Sequence, residues 1–130
     1  MKHLYLWSAA VILLSSCKDD SCEKSPSPGM GGNVKVSGYV RHHNAGIPRA
    51  SVFIEFGATE FPGSDTALYD ARTSANTAAY YEFTGLKAGD YYLYSVGFDS
   101  AISLPVKGGI PLEICEGAET VGTNIPVTED

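Results

Sequence analysis

The chain is poor in positive charge and has no cluster of it. Nine lysines and arginines stand against fifteen aspartates and glutamates, for a formal charge of −6 over 130 residues. Such a surface repels phosphate, which excludes nucleic acid as a natural partner. Long apolar runs are also missing. The longest, Leu4 to Leu14, would rise only about 16 Å as a helix, roughly half the hydrocarbon core, so it cannot span a bilayer. No HExxH, paired CxxC or Gly-x-Ser-x-Gly occurs, which removes the zinc-hydrolase, zinc-ribbon and serine-hydrolase signatures. Histidine is scarce, with three in all, and cysteine equally so. No stretch carries a sustained 3.6-residue apolar period, whereas fourteen glycines and eight tyrosines favour β structure.

What is present begins with a leader. MKHLYLWSAAVILLSS has a short basic start and an apolar centre, and reads as an export signal to be set aside from the fold. Its end, Leu14-Ser15-Ser16-Cys17, resembles the lipobox of bacterial lipoproteins. That resemblance implies cleavage before Cys17 and acylation of its thiol, and several acyl chains would hold the body at a membrane almost permanently. Lys18-Asp19-Asp20 places no aspartate directly after Cys17 and resembles the signal that sends certain lipoproteins to the outer face of the outer membrane. Residues 17–33 combine charge, Ser-Pro repeats and glycine, and read as the lipidated cysteine followed by a flexible tether reaching at most about 55 Å. Two cysteines remain. In an oxidising compartment Cys22 and Cys115 would tend to pair, closing a loop worth about 4 kcal/mol by chain entropy. The alternative is two independent thiols, with Cys115 buried as a small apolar residue.

From residue 34 the pattern has period two with turns at short intervals. It predicts strands at Val34–Arg41, Ser51–Ala58, Leu68–Thr73, Ala79–Thr84, Tyr91–Phe98, Ile110–Cys115 and Thr120–Val127, with a turn at His43–Gly46 and a loop over Thr59–Thr66. Seven short strands without a helix make an all-β, immunoglobulin-like β-sandwich over 34–130. Val36-Ser37-Gly38-Tyr39-Val40, Gly46-Ile47-Pro48-Arg49-Ala50-Ser51-Val52 and the run from Tyr81 to Leu93 resemble the carboxypeptidase regulatory-like domain, whose fold is the prealbumin-like sandwich. The resemblance implies that Tyr81, Phe83, Leu86, Tyr91 and Leu93 pack between sheets. One position departs from that family, which usually has glycine where Ala79 stands.

The resemblance also implies a non-catalytic protein, and a search for chemistry agrees. His42 and His43 are adjacent, so on a strand they point to opposite faces and cannot share an ion; they read as solvated turn residues. Glu55, Glu82 and Asp90 are carboxylates without a visible cleft. A related surface-stalk family, the Cna-B type, forms a Lys–Asn isopeptide bond with the help of a buried acid. Lys35 and Asn124 lie on the first and last strands here, but Ser95 stands where the acid would be, so the bond is not expected. By strand parity Tyr39, Tyr80, Tyr92 and Tyr94 face outward. Exposed aromatics could stack on sugar rings or a protein partner, or simply stabilise the sheet beneath a loop.

The expectation is therefore a surface-exposed outer-membrane lipoprotein without enzymatic activity or cofactor. Its partners are the membrane through Cys17 and a glycan or surface protein through the sandwich. Two alternatives stand beside the accessory role: a subunit of a surface assembly built by strand addition at Thr120–Val127, and a carbohydrate-binding accessory of a glycan uptake system.

Overall fold

The computed structural model describes residues 21–129; the leader, Cys17 and the Lys18-Asp19-Asp20 signal lie outside the described residues. The described chain is an all-β sandwich of two five-stranded sheets. The first sheet holds β1 (Met30–His42), β2 (Ala45–Gly46), β5 (Tyr80–Leu86), β8 (Thr120–Gly122) and β9 (Ile125–Pro126). The second holds β3 (Ser51–Phe56), β4 (Ala71–Ser74), β6 (Gly89–Asp99), β7 (Leu104–Ile114) and β10 (Thr128–Glu129), in the order β10-β7-β6-β3-β4. No helix among the described residues is long and apolar enough to cross a membrane.

Period two places the core as expected. Val34, Val36 and Val40 from β1, Tyr81, Phe83 and Leu86 from β5, and Val52, Ile54, Tyr91 and Leu93 from the facing sheet are buried in one cluster. Each such side chain contributes about 1.5–3 kcal/mol through burial. The strand inventory differs from the expectation of seven. Leu68–Thr73 is not one strand: Asp65 caps a short 3-10 turn, Thr66–Leu68, by accepting from Ala67 N, and β4 starts only at Ala71. Ile110–Cys115 is the end of the longer β7, which forms a hairpin with β6 from Asp99↔Leu104 to Gly89↔Ile114.

The C-terminal strand is split into three. β8 and β9 run parallel to β1, and β10 crosses to the other sheet to pair with β7. The β1 register continues unbroken from Ser37↔Gly122 to Val40↔Ile125, with Thr123 and Asn124 bowed out between. Other groups satisfy the backbone there. Asn124 Oδ1 accepts from Tyr39 N at 3.0 Å, Thr123 N donates to Ser37 O at 2.9 Å, and the buried Tyr81 hydroxyl donates to Thr123 O at 2.6 Å. Gly38 lies under this joint, where any Cβ would fall 1.8 Å from Thr123 O.

The Asn76–Ala79 turn keeps its geometry without glycine. Ala79 has φ 66, and Asn76 Oδ1 accepts from both Ala78 N and Tyr80 N at 2.9 and 3.0 Å. These bonds hold the alanine in a backbone region that non-glycine residues seldom occupy.

The segment read as tether belongs partly to the domain, because its backbone finds partners there. Cys22 is bonded to Cys115, 93 residues away. Glu116 N donates to Glu23 O at 2.7 Å and Ser25 N to Ala88 O at 3.3 Å. Lys24 Nζ bridges Asp90 at 2.9 Å and Glu113 at 3.0 Å. The fully buried Tyr91 hydroxyl accepts from Gly29 N and donates to Lys87 O, both at 2.8 Å. Residues 22–29 thus form a strap across one end of the sandwich, and β1 begins at Met30 rather than Val34.

Candidate functional site

Two places gather chemistry-bearing side chains. The first is at the end of β1. The strand turns back on itself there, pairing His42 with Ala45, and so tight a hairpin needs a left-handed residue. His43 supplies it with φ 53. That conformation breaks the strand alternation on which the sequence expectation rested. The two imidazoles lie on one side, with ring centroids 4.5 Å apart.

His42 is not a solvated turn residue. It is 6% exposed and packed against Asp99, itself 7% exposed at the end of β6. One Asp99 oxygen lies 2.8 Å from His42 Nδ1, and the other accepts from Ala101 N at 2.9 Å, so this carboxylate fixes both the ring and the β6–β7 turn. Glu129 of β10 brings a second acid to His42, at Nε2. The hydrogen bond to Asp99 is the main reason the His42 pKa is raised, and burial opposes it; the same bond is the main cause that holds Asp99 below the usual carboxylate range. Glu129 is lowered chiefly by its own backbone N–H and further by His42. Three ligand-type atoms, from His42, His43 and Glu129, lie within 4.8 Å of one another. Sequence reasoning missed this cluster, although an HH pair at a predicted strand end was the visible signal.

The second place is the outer face of the β3–β6 sheet. Tyr92 and Tyr94, expected to be open, are only 8% and 3% exposed. The β3–β4 loop folds over them: Phe61 lies 5.9 Å and 5.2 Å from their rings, and Tyr69 stacks on Tyr94 at 5.7 Å. The Tyr69 hydroxyl donates to Gly63 O at 2.9 Å and closes the loop on itself. Tyr92, Tyr94 and Phe53 make a second apolar cluster with Tyr69 packed against it, and Phe61 lies at its exposed rim. A cleft of about 420 Å³ borders it, lined by Phe61, Ser64, the two tyrosines and Gly108–Gly109.

Tyr39 and Tyr80 lie on the other sheet and pair edge to face at 5.6 Å, with Arg41 over the Tyr39 ring. Tyr39 is 39% exposed. The four tyrosines therefore form two separate groups on opposite sides of the sandwich, not a single ligand surface.

The remaining candidates are engaged elsewhere. Lys35 is 3.7 Å from Glu82, and Asn124 holds Tyr39 N, so neither is poised for an isopeptide bond. Asp90 holds Lys24. Glu55 is raised by burial and by Asp70 nearby.

Burial also raises the phenols, Tyr69 up to about 12, and Tyr81, Tyr91 and Tyr92 in the same direction. A raised folded-state pKa means the native form keeps its proton longer than the unfolded chain does. The associated stability is complete below the ordinary value of 10.0 and is lost as pH rises past it. The phenols' contribution to the urea midpoint should be constant up to about pH 10 and fall beyond it, with part of the tyrosine absorbance change delayed until unfolding. A single unshifted titration of all tyrosines would contradict the burial described above.

No family model matches the chain, and no curated protein matches it. Among solved structures it is similar to the major pilin subunit of Bacillus cereus, at 10% identity and a TM-score of 0.48. The likeness covers 77% of this chain and 30% of that one, so the chain spans under a third of the pilin's length.

Proposed function

We propose that this chain is an exported, lipid-anchored accessory module that works by surface recognition rather than catalysis. The reading keeps the carboxypeptidase regulatory-like resemblance and the lipobox at Cys17, with Lys18, Asp19 and Asp20 as the outer-membrane address. The observation that carries it is the Cys22–Cys115 bond, which suits an oxidising compartment and ties the chain just beyond the lipobox to the body. With the strap docked, only residues 18–21 separate the acylated thiol from the bonded Cys22. Five residue steps reach at most about 18 Å, so the sandwich sits against the bilayer instead of ranging about 55 Å from it. On the body, Tyr39 with Tyr80 and Arg41 is the aromatic surface left open for a glycan or protein partner; Tyr92 and Tyr94 are covered.

The second reading, a subunit of a surface assembly, is favoured by one feature. β8 and β9 pair with β1 on one side, and among the described residues their other edge has no strand partner. Such an edge is a template for strand addition. Deleting Thr120–Asp130 is not a clean test, because Ile125 and Val127 belong to the core.

One experiment addresses both readings. Replacing Cys17→Ala should move the protein from the membrane fraction to the soluble fraction. Changing Lys18, Asp19 and Asp20 together to alanine should leave it membrane-bound but shielded from protease added to intact cells. Light scattering on the soluble Cys17→Ala protein then separates the two readings: a monomer at every concentration fits the module, and growing polymers fit the assembly. Unchanged membrane retention of the Cys17→Ala protein would end the anchoring proposal.

A further inference from the structure

We infer that His42, His43 and Glu129 form a binding site for a divalent transition-metal ion of the zinc class, with Asp99 orienting His42. The inference is independent of the anchoring proposal.

The argument starts from His42 Nδ1. At 2.8 Å from Asp99 Oδ2, this nitrogen carries the proton, since an imidazole N–H donates and a carboxylate accepts. In the neutral ring Nε2 is then a bare lone pair. It is buried, and no N–H or O–H donor reaches it. The nearest charged group is the Glu129 carboxylate, another lone-pair donor. Two acceptors face to face repel unless something positive lies between them. A second proton on His42 would serve. So would a metal ion, and the position of His43 decides between the two.

The His43 ring lies tilted beside that of His42, 4.5 Å away between centroids, and brings a third ligand atom within 4.8 Å of the other two. An imidazolium would already be matched by its two acids and would leave the ring nitrogen of His43 without a role. A metal ion gains a ligand. Two imidazole nitrogens and one carboxylate are the donor set of open zinc sites, with the fourth position left to water or to an incoming donor. The carboxylate behind His42 completes the pattern, because a metal-bound histidine usually donates its other N–H to such a group, which fixes its tautomer and raises its basicity. The charges also match, with two carboxylates against a dication.

Geometry permits closure. Zinc–ligand bonds of about 2.0–2.1 Å put ligand atoms roughly 3.3 Å apart. The present spread of up to 4.8 Å needs movement only in His43 and Glu129. Both are exposed, whereas His42 is already fixed by Asp99. The three ligands come from the end of β1, its turn and β10, so a bound ion would tie the last strand to the first.

The test uses the full chain carrying Cys17→Ala, purified without a polyhistidine tag and without reductant. Cys22 and Cys115 stay bonded and no thiol competes. After stripping with chelator, titration calorimetry with Zn²⁺ should show one saturable site per chain. Co²⁺ should give the visible d–d bands of a four- or five-coordinate complex. Zn²⁺ should raise the unfolding temperature. His43→Ala and Glu129→Gln, both exposed and outside the core, should each weaken binding by about tenfold or more. Asp99→Asn should weaken it about 10- to 100-fold while the stoichiometry stays at one.

Two results would overturn the inference. One is no saturable uptake at about 1 mM Zn²⁺, the weak end of specific binding. The other is uptake that survives both the His43→Ala and the Glu129→Gln changes. Either would leave His42 as a protonated clamp between its two acids.

Discussion

Gly38→Ala should lower the stability of the folded chain by about 3–5 kcal/mol, near the upper limit for a single methyl group. The new Cβ would lie 1.8 Å from Thr123 O and 2.5 Å from Thr123 C. Both are backbone atoms, so no side-chain rotation relieves the clash. The β8–β9 joint would have to lift from β1. Lifting it breaks the bond from Thr123 N to Ser37 O, the bond from Tyr39 N to Asn124 Oδ1, and the donation from the buried Tyr81 hydroxyl. Each contributes about 1 kcal/mol, and Tyr81 would keep an unpaired hydroxyl in the core. Gly122→Ala is the control. A Cβ there meets nothing within 4 Å, so its effect should stay within about 0.5 kcal/mol. Urea unfolding of both variants measures the difference, and equal midpoints would show that the joint is not packed as described.

Removing the disulfide should cost nearly as much. Replacing Cys22 and Cys115 together by serine should destabilise the chain by about 4 kcal/mol, within the 2–5 kcal/mol typical of a native bond in a small domain. A cross-link spanning 93 residues removes much of the freedom of the unfolded chain, and that part of the effect needs no change in native contacts. A second effect is local. Without the bond, the strap depends on Tyr91, Lys24 and a few backbone hydrogen bonds. Exchange of the Ser25 and Gly29 amides should therefore quicken more than exchange in β6. A loss below about 1 kcal/mol would mean that the unfolded chain is already constrained in the same way.

How far the sequence carried these conclusions depends on which kind of contact fixes each segment. Tyr81, Phe83, Leu86, Tyr91 and Leu93 were legible because a half-buried strand writes its orientation into alternate residues. All five are buried. Tyr92 and Tyr94 followed the same rule and do point to the outer face of their sheet. What covers them is the β3–β4 loop, which has no period to read. The strap was illegible for a related reason. Ser, Pro and Gly indicate that a segment has no core of its own. They say nothing about backbone groups that find partners on Ala88 or Glu116, far along the chain. The C-terminal strand was read as one piece, without a partner, because the interruption at Thr123 and Asn124 is satisfied by groups on β1 and β5 that the local sequence does not show.

The His42–His43 pair shows the limit most clearly. Alternation holds only while φ stays extended, and one left-handed residue cancels it. Asp99 and Glu129 lie 57 and 87 positions beyond His42, and only the β6–β7 turn and the crossing of β10 bring them to the ring. The side chains that make the cluster chemically coherent were each visible in the sequence. Their meeting was not.

The strap also sets how the molecule would bear a mechanical load. Tension applied from the N-terminal side reaches Cys22 first and passes through sulfur to Cys115, just beyond the end of β7. It therefore bypasses β1, which would otherwise be peeled from its neighbours one hydrogen bond at a time. The pull enters instead along the β6–β7 hairpin, whose eleven registered residue pairs share it in parallel. A body dragged by whatever it grips would resist as a sheet under shear, and reducing conditions would turn the same tug into unzipping.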